Sequence, residues 1–396
     1  MTASLSAAKT PQHCLARVRS ILPVLRAAGD RIESERQVPS DIMGILHEAR
    51  IFRMTLPRSL AGDEATLREL TEATELVASV DGSTAWCLGQ GSGCAMTAVL
   101  LDPAAAKHVF GPANAVLAWG AGIQGQAVAT KNGYRVTGRW SFASGSRAAT
   151  WLGAHCRIME ADGTPRRRPD GRHADLTLLV PRNEARIIDD WNVVGLVGTG
   201  SDSYELADHF VPEEFTVDRE DIARSREPGP LYKFPQIMIY AGAFAGVMLG
   251  LARGMLDELK GLAMTKTPRG ASSSLRESPV FQGELARFEA RLRAARAYHL
   301  GTLDEVWEAV EKGAALDLEH RMRIRLSSTY TINEALEIAV DAYRAAGQHA
   351  IFQSAPFSRK LRDALSASQQ VQGRPSHFAT VGRHLLGLPP DTTMFI

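Results

Sequence analysis

Apolar residues in the first hundred positions recur every three or four residues, which places them on one face of an α-helix. This spacing predicts a first helix over residues 15–25. It predicts a second from a cap at Ser40 to Ala49, and a long amphipathic helix over residues 64–80. Residues 1–114 are therefore expected to form an N-terminal α-helical domain.

From residue 115 the spacing of apolar residues changes to two, which is typical of half-buried strands. Strands are predicted at residues 116–119, 126–131, 134–142, 150–158, 174–180, 185–189 and 203–210. The corner Lys131-Asn132-Gly133 predicts a tight hairpin between the second and third of them. Residues 115–228 are expected to form a central β-barrel-like domain.

Helical spacing returns after residue 229 and continues to the end of the chain. Long helices are predicted at residues 240–262, 281–310, 316–346 and 361–372. Long antiparallel helices of this kind make a four-helix bundle. The predicted fold class is α+β, with domains at residues 1–114, 115–228 and 229–396.

Composition narrows the range of functions. The chain has 396 residues, 45% of them hydrophobic and 22% charged, as in soluble globular proteins. Lysine plus arginine number 45 against 44 aspartates and glutamates, so the net charge of +1 gives no general attraction to nucleic acid or an anionic membrane. No apolar stretch of signal-peptide or membrane-span length is expected. We expect a cytoplasmic protein.

The cysteines do not predict a metal site. They are Cys14, Cys87, Cys94 and Cys156, and none of their spacings is CxxC. Histidines are also missing at metal-ligand distance from the Cys87 and Cys94 pair. We expect four reduced thiols, most of them buried, and no bound metal.

The segment from Gly125 to Cys156 carries the densest chemistry of the chain. Within seven residues it contains Trp140, Ser141, Ser144, Gly145 and Ser146. An aromatic face beside short hydroxyls suits a flat ring that bears carbonyls and ring nitrogens, such as isoalloxazine. The same residues also suit a strand with an edge tryptophan and a polar turn. The residues alone leave both interpretations open.

Two motifs carry a resemblance to a known family. The sequence GYRVTGRWSFASG resembles the flavin-contacting segment of the acyl-CoA dehydrogenase superfamily. The branch it resembles is that of the two-component flavin monooxygenases, such as the oxygenase components of 4-hydroxyphenylacetate hydroxylase and dibenzothiophene monooxygenase. W-x-x-x-G-L-x-G-T-G-S, which begins at Trp191 and is followed by a strand and VPEE, is similar to the motif that closes the superfamily's β domain.

The likeness covers nearly the whole chain and implies an acyl-CoA dehydrogenase-like fold that binds FMN or FAD. It implies flavin contacts from Trp140, Ser141, Ser144, Gly145, Ser146, Thr199 and Ser201. Residues 49–89 resemble the superfamily's N-terminal domain, which would place Trp86 near the flavin. A helix-capping turn with a core tryptophan explains Trp86 equally well.

The C-terminal part adds three candidates by the same resemblance. Arg269 lies in a loop between two bundle helices, where the family uses an arginine for the flavin phosphate, although the usual R-x-x-F-G ending is absent. Residues 344–367 are similar to the family's segment that ends in Arg-Asp, here Arg362 and Asp363. The pair would fix the last helix near the flavin. Asp363 could also pair locally with an arginine.

One position departs from the monooxygenase branch. A histidine usually follows the Arg-Asp pair by seven residues, and this chain has Gln370 there. An amide cannot exchange a proton near neutral pH as imidazole does. His377 or His384 could supply the imidazole from further along the chain, although a single histidine is more often structural. The catalytic candidates are therefore Gln370, Asp363 and His377.

The expected function is a flavin-dependent monooxygenase that receives reduced flavin from a separate reductase and acts with O2 on a small organic molecule, with an aromatic compound as one option. An acyl-CoA dehydrogenase needs a carboxylate base, and neither residues 236–249 nor a Tyr-Glu-Gly-Thr motif supplies one. Glu258 and Glu337 remain alternatives for that base. A non-catalytic descendant is the third interpretation. The resemblance also implies a homotetramer.

Overall fold

The computed structural model describes residues 13–270 and 272–392. The chain begins with five helices: α1 (Cys14–Ser34), α2 (Ser40–Glu48), α3 (Leu67–Ala78), α4 (Gly82–Ala95) and α5 (Pro103–Phe110). The first three lie where the apolar spacing predicts them. Ser40 is not a cap, since Pro39 holds the cap position of α2 and Ser40 is its first residue.

The sequence did not predict α4, and its composition explains why. It contains four glycines, which disfavour helix formation, and it is buried on nearly every side, so its apolar residues have no helical period. Its start is secured by Asp81, whose side chain accepts a hydrogen bond from the Thr84 amide at 2.7 Å. Tertiary packing therefore decides this helix.

The middle of the chain forms one eight-stranded sheet in the order β6-β7-β3-β2-β4-β5-β8, with β1 paired to β4. The strands are β1 (Leu117–Trp119), β2 (Gly125–Thr130), β3 (Gly133–Trp140), β4 (Trp151–Met159), β5 (Asp175–Pro181), β6 (Arg186–Ile188), β7 (Ser203–Pro212) and β8 (Thr216–Val217). The predicted hairpin between β2 and β3 is confirmed. It turns at Asn132, whose φ is 65°.

Five further helices complete the described chain: α6 (Gln236–Thr265), α7 (Pro279–Glu311), α8 (Leu318–Ala346), α9 (Pro356–Ser368) and α10 (Ser376–Leu385). Helices α6 to α9 pack as the predicted bundle. The last predicted helix ends earlier than expected, at Ser368. A short turn at residues 371–373 follows, and the Gln370 side chain caps it by accepting a hydrogen bond from the Gln372 amide at 2.6 Å. The predicted α+β architecture is confirmed, and its domain boundaries stay predictions.

Helix α6 is the centre of the helical part. It meets the length and composition of a membrane span, contrary to the expectation from sequence, but 89% of its most apolar window is buried inside the protein. A Cβ added at Gly246 would overlap Thr74 Oγ1 and the Thr71 carbonyl on α3. This close approach joins the N-terminal helices and the bundle into one hydrophobic core, while the sheet has a core of its own.

Loop 191–201 of the sheet domain lies directly on α9. Asp363 Oδ1 accepts a hydrogen bond from the Leu196 amide at 2.6 Å, and Arg362 Nη1 donates to the Val194 carbonyl at 2.7 Å. A Cβ at Gly195 would overlap the Arg362 carbonyl, so the two backbones are in contact. Burial raises the pKa of Asp363 to about 7.

The close approach at Gly246 yields a first prediction. Gly246→Ala forces a methyl group into the α3–α6 contact and should destabilise the protein by roughly 1–3 kcal/mol. Gly261→Ala, in the same helix but with no atom within 4 Å of the new Cβ, is the matched control. It should be neutral or stabilising by up to about 1 kcal/mol. Urea unfolding measures both, and equal effects would rule out a steric role for Gly246.

Asp363 yields a prediction of pH dependence. An unfolded aspartate has a pKa of about 3.9. Between pH 4 and 7 the folded protein therefore binds more protons at Asp363 than the unfolded chain, and stability falls as the pH rises. Asp363→Asn keeps a side-chain oxygen that accepts the hydrogen bond from the Leu196 amide. It also removes the loss of stability with rising pH. The free energy of unfolding of the variant, relative to that of wild type, should increase by roughly 2–4 kcal/mol between pH 5 and pH 8.

The measurement is the urea midpoint at pH 5 and at pH 8. Asp162→Asn is the control, because Asp162 is an exposed carboxyl whose pKa lies below its usual value. Its profile should run parallel to wild type over this range. A parallel profile for Asp363→Asn as well would contradict the raised pKa of Asp363.

Candidate active site

A hydrogen-bonded network joins three parts of the chain at the edge of the sheet. Trp86 Nε1, on α4, donates to Ser144 Oγ at 3.0 Å, and Ser144 Oγ lies 2.8 Å from Ser201 Oγ. Thr199 Oγ1 lies 2.6 Å from Ser201 Oγ and donates to the Leu196 carbonyl at 2.7 Å. Four residues singled out from the sequence are thus brought together from distant positions. We call Trp86, Ser144, Thr199 and Ser201 the hydroxyl network.

Glycines let the two loops of the sheet domain approach each other. The Gly145 amide donates to the Thr199 carbonyl at 2.9 Å, and Ser146 Oγ donates to the Gly200 carbonyl at 3.1 Å. Gly145 has φ 80° and Gly200 has φ 50°, a region that side chains disfavour. Ser144, Ser146, Thr199 and Ser201 are all buried. The hydrogen bonds of these hydroxyls therefore hold the two loops together, and the buried hydroxyls form the floor of the site.

Trp140 lies in the core of the sheet, with no exposed surface. Its ring stacks on Tyr204 at 5.3 Å, and its Nε1 donates to the His155 carbonyl at 3.0 Å. This placement differs from the open aromatic face that the motif predicts. The alternation of side chains along β3 points Trp140 inward, as it does Val136.

The exposed aromatic ring of this segment belongs to Phe142, which the sequence analysis did not select. Phe142 is 62% exposed and lies at 6.0 Å from Trp191, edge to face. Its φ of 64° turns the chain after β3, so strand alternation does not determine where the ring points. Nothing in the one-dimensional pattern marks this reversal.

The two loops that contact the segment around Phe142 also carry exposed apolar side chains. On one side lies Ile123, in a loop held by the Ala121 amide, which donates to the Ser141 carbonyl at 3.0 Å. On the other lies Val194, which is 71% exposed and next to Arg362. We call Ile123, Phe142 and Val194 the ledge. An exposed aromatic ring with the Ser141 hydroxyl beside it and a guanidinium at its end fits a flavin ring system.

The two residues of the Arg-Asp pair lie under this ledge. Arg362 bonds to Glu33 at 2.5 Å as well as to Val194, and Asp363 is buried against Gly82, the first residue of α4. Burial raises the pKa of Asp81 too, in the residue that caps α4. The Arg-Asp pair therefore links the bundle to both the sheet and the N-terminal helices.

The other C-terminal candidates serve local contacts. Gln370 caps the turn at residues 371–373, and His377 is buried with Nε2 at 2.7 Å from the Val371 carbonyl. Burial lowers the pKa of His377. These two hydrogen bonds both lie within residues 370–377. Arg269 lies exposed in the loop between α6 and α7, without a side-chain bond recorded within the described chain.

A row of stacked aromatic rings, which we call the aromatic seam, runs from the hydroxyl network along α6. The sequence analysis did not predict it. The ring of Trp86 stacks on Phe244 at 4.0 Å, and Phe244 lies parallel to Tyr240 at 5.5 Å. The signal was the four-residue spacing of Tyr240 and Phe244 among small residues, which places both on one face of the helix. The seam consists of Trp86, Phe244 and Tyr240.

One group near the N-terminus offers metal-ligand atoms. Atoms of His13, Cys14 and Glu69 lie within 4.8 Å of one another. His13 Nε2 already pairs with Glu69 at 2.7 Å, and burial raises the pKa of the Cys14 thiol to about 11. A protonated thiol is a poor metal ligand, so we assign no metal to this group.

Similarity to known proteins covers more than nine-tenths of the chain. Residues 242–372 match the family described as acyl-CoA dehydrogenase, C-terminal domain. Indole-3-acetate monooxygenase of Pseudomonas putida is 27% identical over 92% of this chain and 91% of its own length. The oxygenase subunit HsaA, a flavin-dependent monooxygenase of Rhodococcus jostii (strain RHA1), is 26% identical over 96% and 99%.

A solved structure agrees with these relatives. XiaF from Streptomyces sp., in complex with FADH2 and glycerol, has a TM-score of 0.88 and 25% identity, and the match covers 96% of each chain. The resemblance carried by the motifs around Trp140 and Trp191 is thereby confirmed. The chain is similar over more than nine-tenths of its length to monooxygenases, one of them named as flavin-dependent, and its residues 242–372 match the acyl-CoA dehydrogenase C-terminal domain.

Proposed function

We propose that this protein is the oxygenase component of a two-component system that hydroxylates a small aromatic molecule. It would receive reduced FAD or FMN from a separate reductase. One atom of O2 enters the substrate, the other leaves as water, and the reduced flavin supplies both electrons. The observation that carries the proposal is the meeting of the hydroxyl network, the ledge and the Arg-Asp pair at one junction of all three parts.

The chain's own residues have distinct tasks in this proposal. Ser141, Phe142 and Arg362 would hold the flavin ring at the ledge. The hydroxyl network keeps the two loops in place and keeps water out of the floor beneath them. When it is bound, the reduced flavin would supply the two electrons for the reaction with O2. The assignments of Gln370, Asp363 and His377 as catalytic residues stay predictions.

Substrate class is supported by the relatives' names. Indole-3-acetate monooxygenase is named for an aromatic substrate. The aromatic seam places stacked aromatic rings, of matching character, beside the hydroxyl network. An aromatic ring is therefore the group that we expect to be oxygenated.

The acyl-CoA dehydrogenase alternative has no support from the two candidate bases. Glu258 faces Arg26 at 3.7 Å, and Glu337 is exposed on α8. A base that takes a proton from a bound thioester must lie within hydrogen-bond reach of it. Neither glutamate has a recorded contact with the seam or the ledge in the described chain.

The proposed function is tested with the purified protein. We expect anaerobic titration to show tighter binding of reduced FAD or FMN than of the oxidised forms. Addition of ¹⁸O2 with an aromatic acid or phenol should give product labelled with one oxygen atom by mass spectrometry. Failure to bind either reduced flavin would end this proposal.

A variant of the ledge sharpens that test. Phe142→Ala should weaken binding of the reduced flavin by about tenfold, because an aromatic contact contributes roughly 0.5–1.5 kcal/mol. Phe210→Ala is the matched control, since Phe210 is also an exposed phenylalanine of the sheet domain, on β7. Equal affinities for the two variants would place the flavin elsewhere.

We also propose a cytoplasmic homotetramer. Exposed leucines at and after the end of α10 favour association, since Leu385, Leu386 and Leu388 form an unusual apolar surface. Arg269, in its exposed loop, is positioned for a neighbour's flavin. Light scattering should give about four times 43.0 kDa. A monomeric mass would contradict the assembly.

A further inference from the structure

A bidentate ion pair joins the two loops that carry the hydroxyl network. Arg147 follows Ser144 by three residues, and Asp202 directly follows Ser201. Arg147 Nε donates to Asp202 Oδ2 at 2.6 Å, and Arg147 Nη2 donates to Asp202 Oδ1 at 3.1 Å. Two parallel hydrogen bonds of this kind fix the planes of both groups, which a single contact does not do. The pair therefore sets the position of one loop relative to the other.

The Asp202 carboxylate lies in the interior of this junction. Its side chain is 1% exposed, against 18% for that of Arg147. A carboxylate away from water is unfavourable unless cations and hydrogen-bond donors surround it. A third hydrogen bond comes from the Trp191 amide, which donates to Asp202 Oδ1 at 3.3 Å. The ring of Trp191 in turn lies edge to face with Phe142. The same carboxylate thus connects the floor of the site with the ledge.

The Arg147 side chain also extends toward the N-terminal helices. Its stem covers Gly200, where an added Cβ would lie 2.9 Å from Arg147 Cδ. Arg147 Nη2 donates to Asp189 at 2.8 Å as well, and Arg36, two residues after α1, pairs with the same aspartate. The side chain of Asp189 is 69% exposed, so this outer ion pair adds little. The buried pair of Arg147 with Asp202 is therefore the part that can hold the site.

A second ion pair of the sheet domain has the same geometry at a different place. Arg168 Nη1 donates to Asp218 Oδ2 at 2.8 Å, and Arg168 Nη2 donates to Asp218 Oδ1 at 3.1 Å. Asp218 Oδ1 also accepts from a backbone amide, that of Glu220, at 3.0 Å. This pair joins the loop after β4 to the segment after β8, and neither carries a residue of the hydroxyl network or the ledge. It separates the loss of an arginine–aspartate pair from the loss of one at the site.

We propose that Asp202 is a positioning residue of the flavin site. Through Arg147 and the Trp191 amide, its carboxylate holds both loops in the arrangement that receives the flavin. Ser144 and Phe142 depend on that arrangement for their places. Asp202 acts through its two partners rather than by contact with the flavin. That the site takes reduced flavin rests on the proposed function, whereas the ordering of the loops does not.

The ordering of the loops is tested by hydrogen–deuterium exchange and mass spectrometry on the full-length protein without flavin. The readout is exchange of the Ala143 and Gly145 amides, which donate across the loops to the Asp202 and Thr199 carbonyls. Asp202→Asn keeps an oxygen for the Trp191 amide but turns an NH2 group toward the guanidinium. Exchange of both amides should accelerate by about 10- to 100-fold, because hydrogen bonds between charged groups are the strong ones.

Asp218→Asn is the matched control, because it removes the other bidentate pair in the same way. It should leave exchange at residues 143–145 as in wild type. Arg147→Lys keeps the charge but loses the bidentate geometry, so its exchange should lie between that of wild type and that of Asp202→Asn. This milder variant also carries the test if Asp202→Asn does not fold. Urea unfolding records the stability of each variant.

The effect on the site is measured by anaerobic titration of the same variants with reduced FMN and FAD. Asp202→Asn should weaken binding of the reduced flavin by at least about tenfold, because loops that are not ordered beforehand must be ordered on binding. Arg147→Lys should weaken it less, and Asp218→Asn should bind as wild type does. An ion pair with a structural role alone would lower stability in both aspartate variants and flavin affinity in neither.

The outcomes separate this inference from the proposed function. Equal exchange at residues 143–145 in Asp202→Asn and Asp218→Asn would overturn the positioning role of Asp202. Faster exchange in Asp202→Asn with unchanged flavin affinity would overturn it too. Failure of the wild-type protein to bind reduced flavin would overturn the proposed function, and the exchange result would still decide whether Asp202 orders the loops.

Discussion

The structure depends on a chain of hydrogen bonds through the Leu196 peptide. Asp363 of α9 accepts from the Leu196 amide, and the Leu196 carbonyl accepts from Thr199, which leads through Ser201 and Ser144 to Trp86 of α4. Leu196 has φ 54°, which costs a residue with a side chain roughly 1–2 kcal/mol. Hydrogen bonds to both its amide and its carbonyl hold Leu196 in this conformation. One strained peptide thus fixes the relative position of the sheet, the bundle and the N-terminal helices.

That junction explains why so many polar residues of the site are buried. A hydroxyl that bonds to another hydroxyl has no need of water, so the network remains stable without solvent. The floor of the site is therefore rigid. In the proposed function, the flavin contacts above the floor come from the exposed Phe142 and the half-buried Ser141. A rigid floor under an exposed ledge is suited to a cofactor that binds and leaves in each cycle.

Several charged side chains of the sheet domain form ion pairs with one another. Arginines of the sheet domain such as Arg147, Arg168 and Arg172 each face a carboxylate. Other arginines of this domain bond to backbone carbonyls, as Arg167 does to Gly171 and Arg182 to Ser146. Ion pairs at the surface add little stability, so they matter more for the placement of these loops than for the stability of the fold.

The local sequence was sufficient to predict most elements of the fold and several residues of the candidate site. The spacing of apolar residues determined the long helices, the strands and the hairpin at Asn132, since those elements bury one face or alternate faces. The motifs at Trp140 and Trp191 carried the family resemblance and singled out Ser144, Thr199 and Ser201, and the resemblance of residues 49–89 singled out Trp86. Tertiary structure decided α4 and the outward ring of Phe142. Each of these depends on what distant residues occupy or leave empty around it, and no pattern along the chain records that.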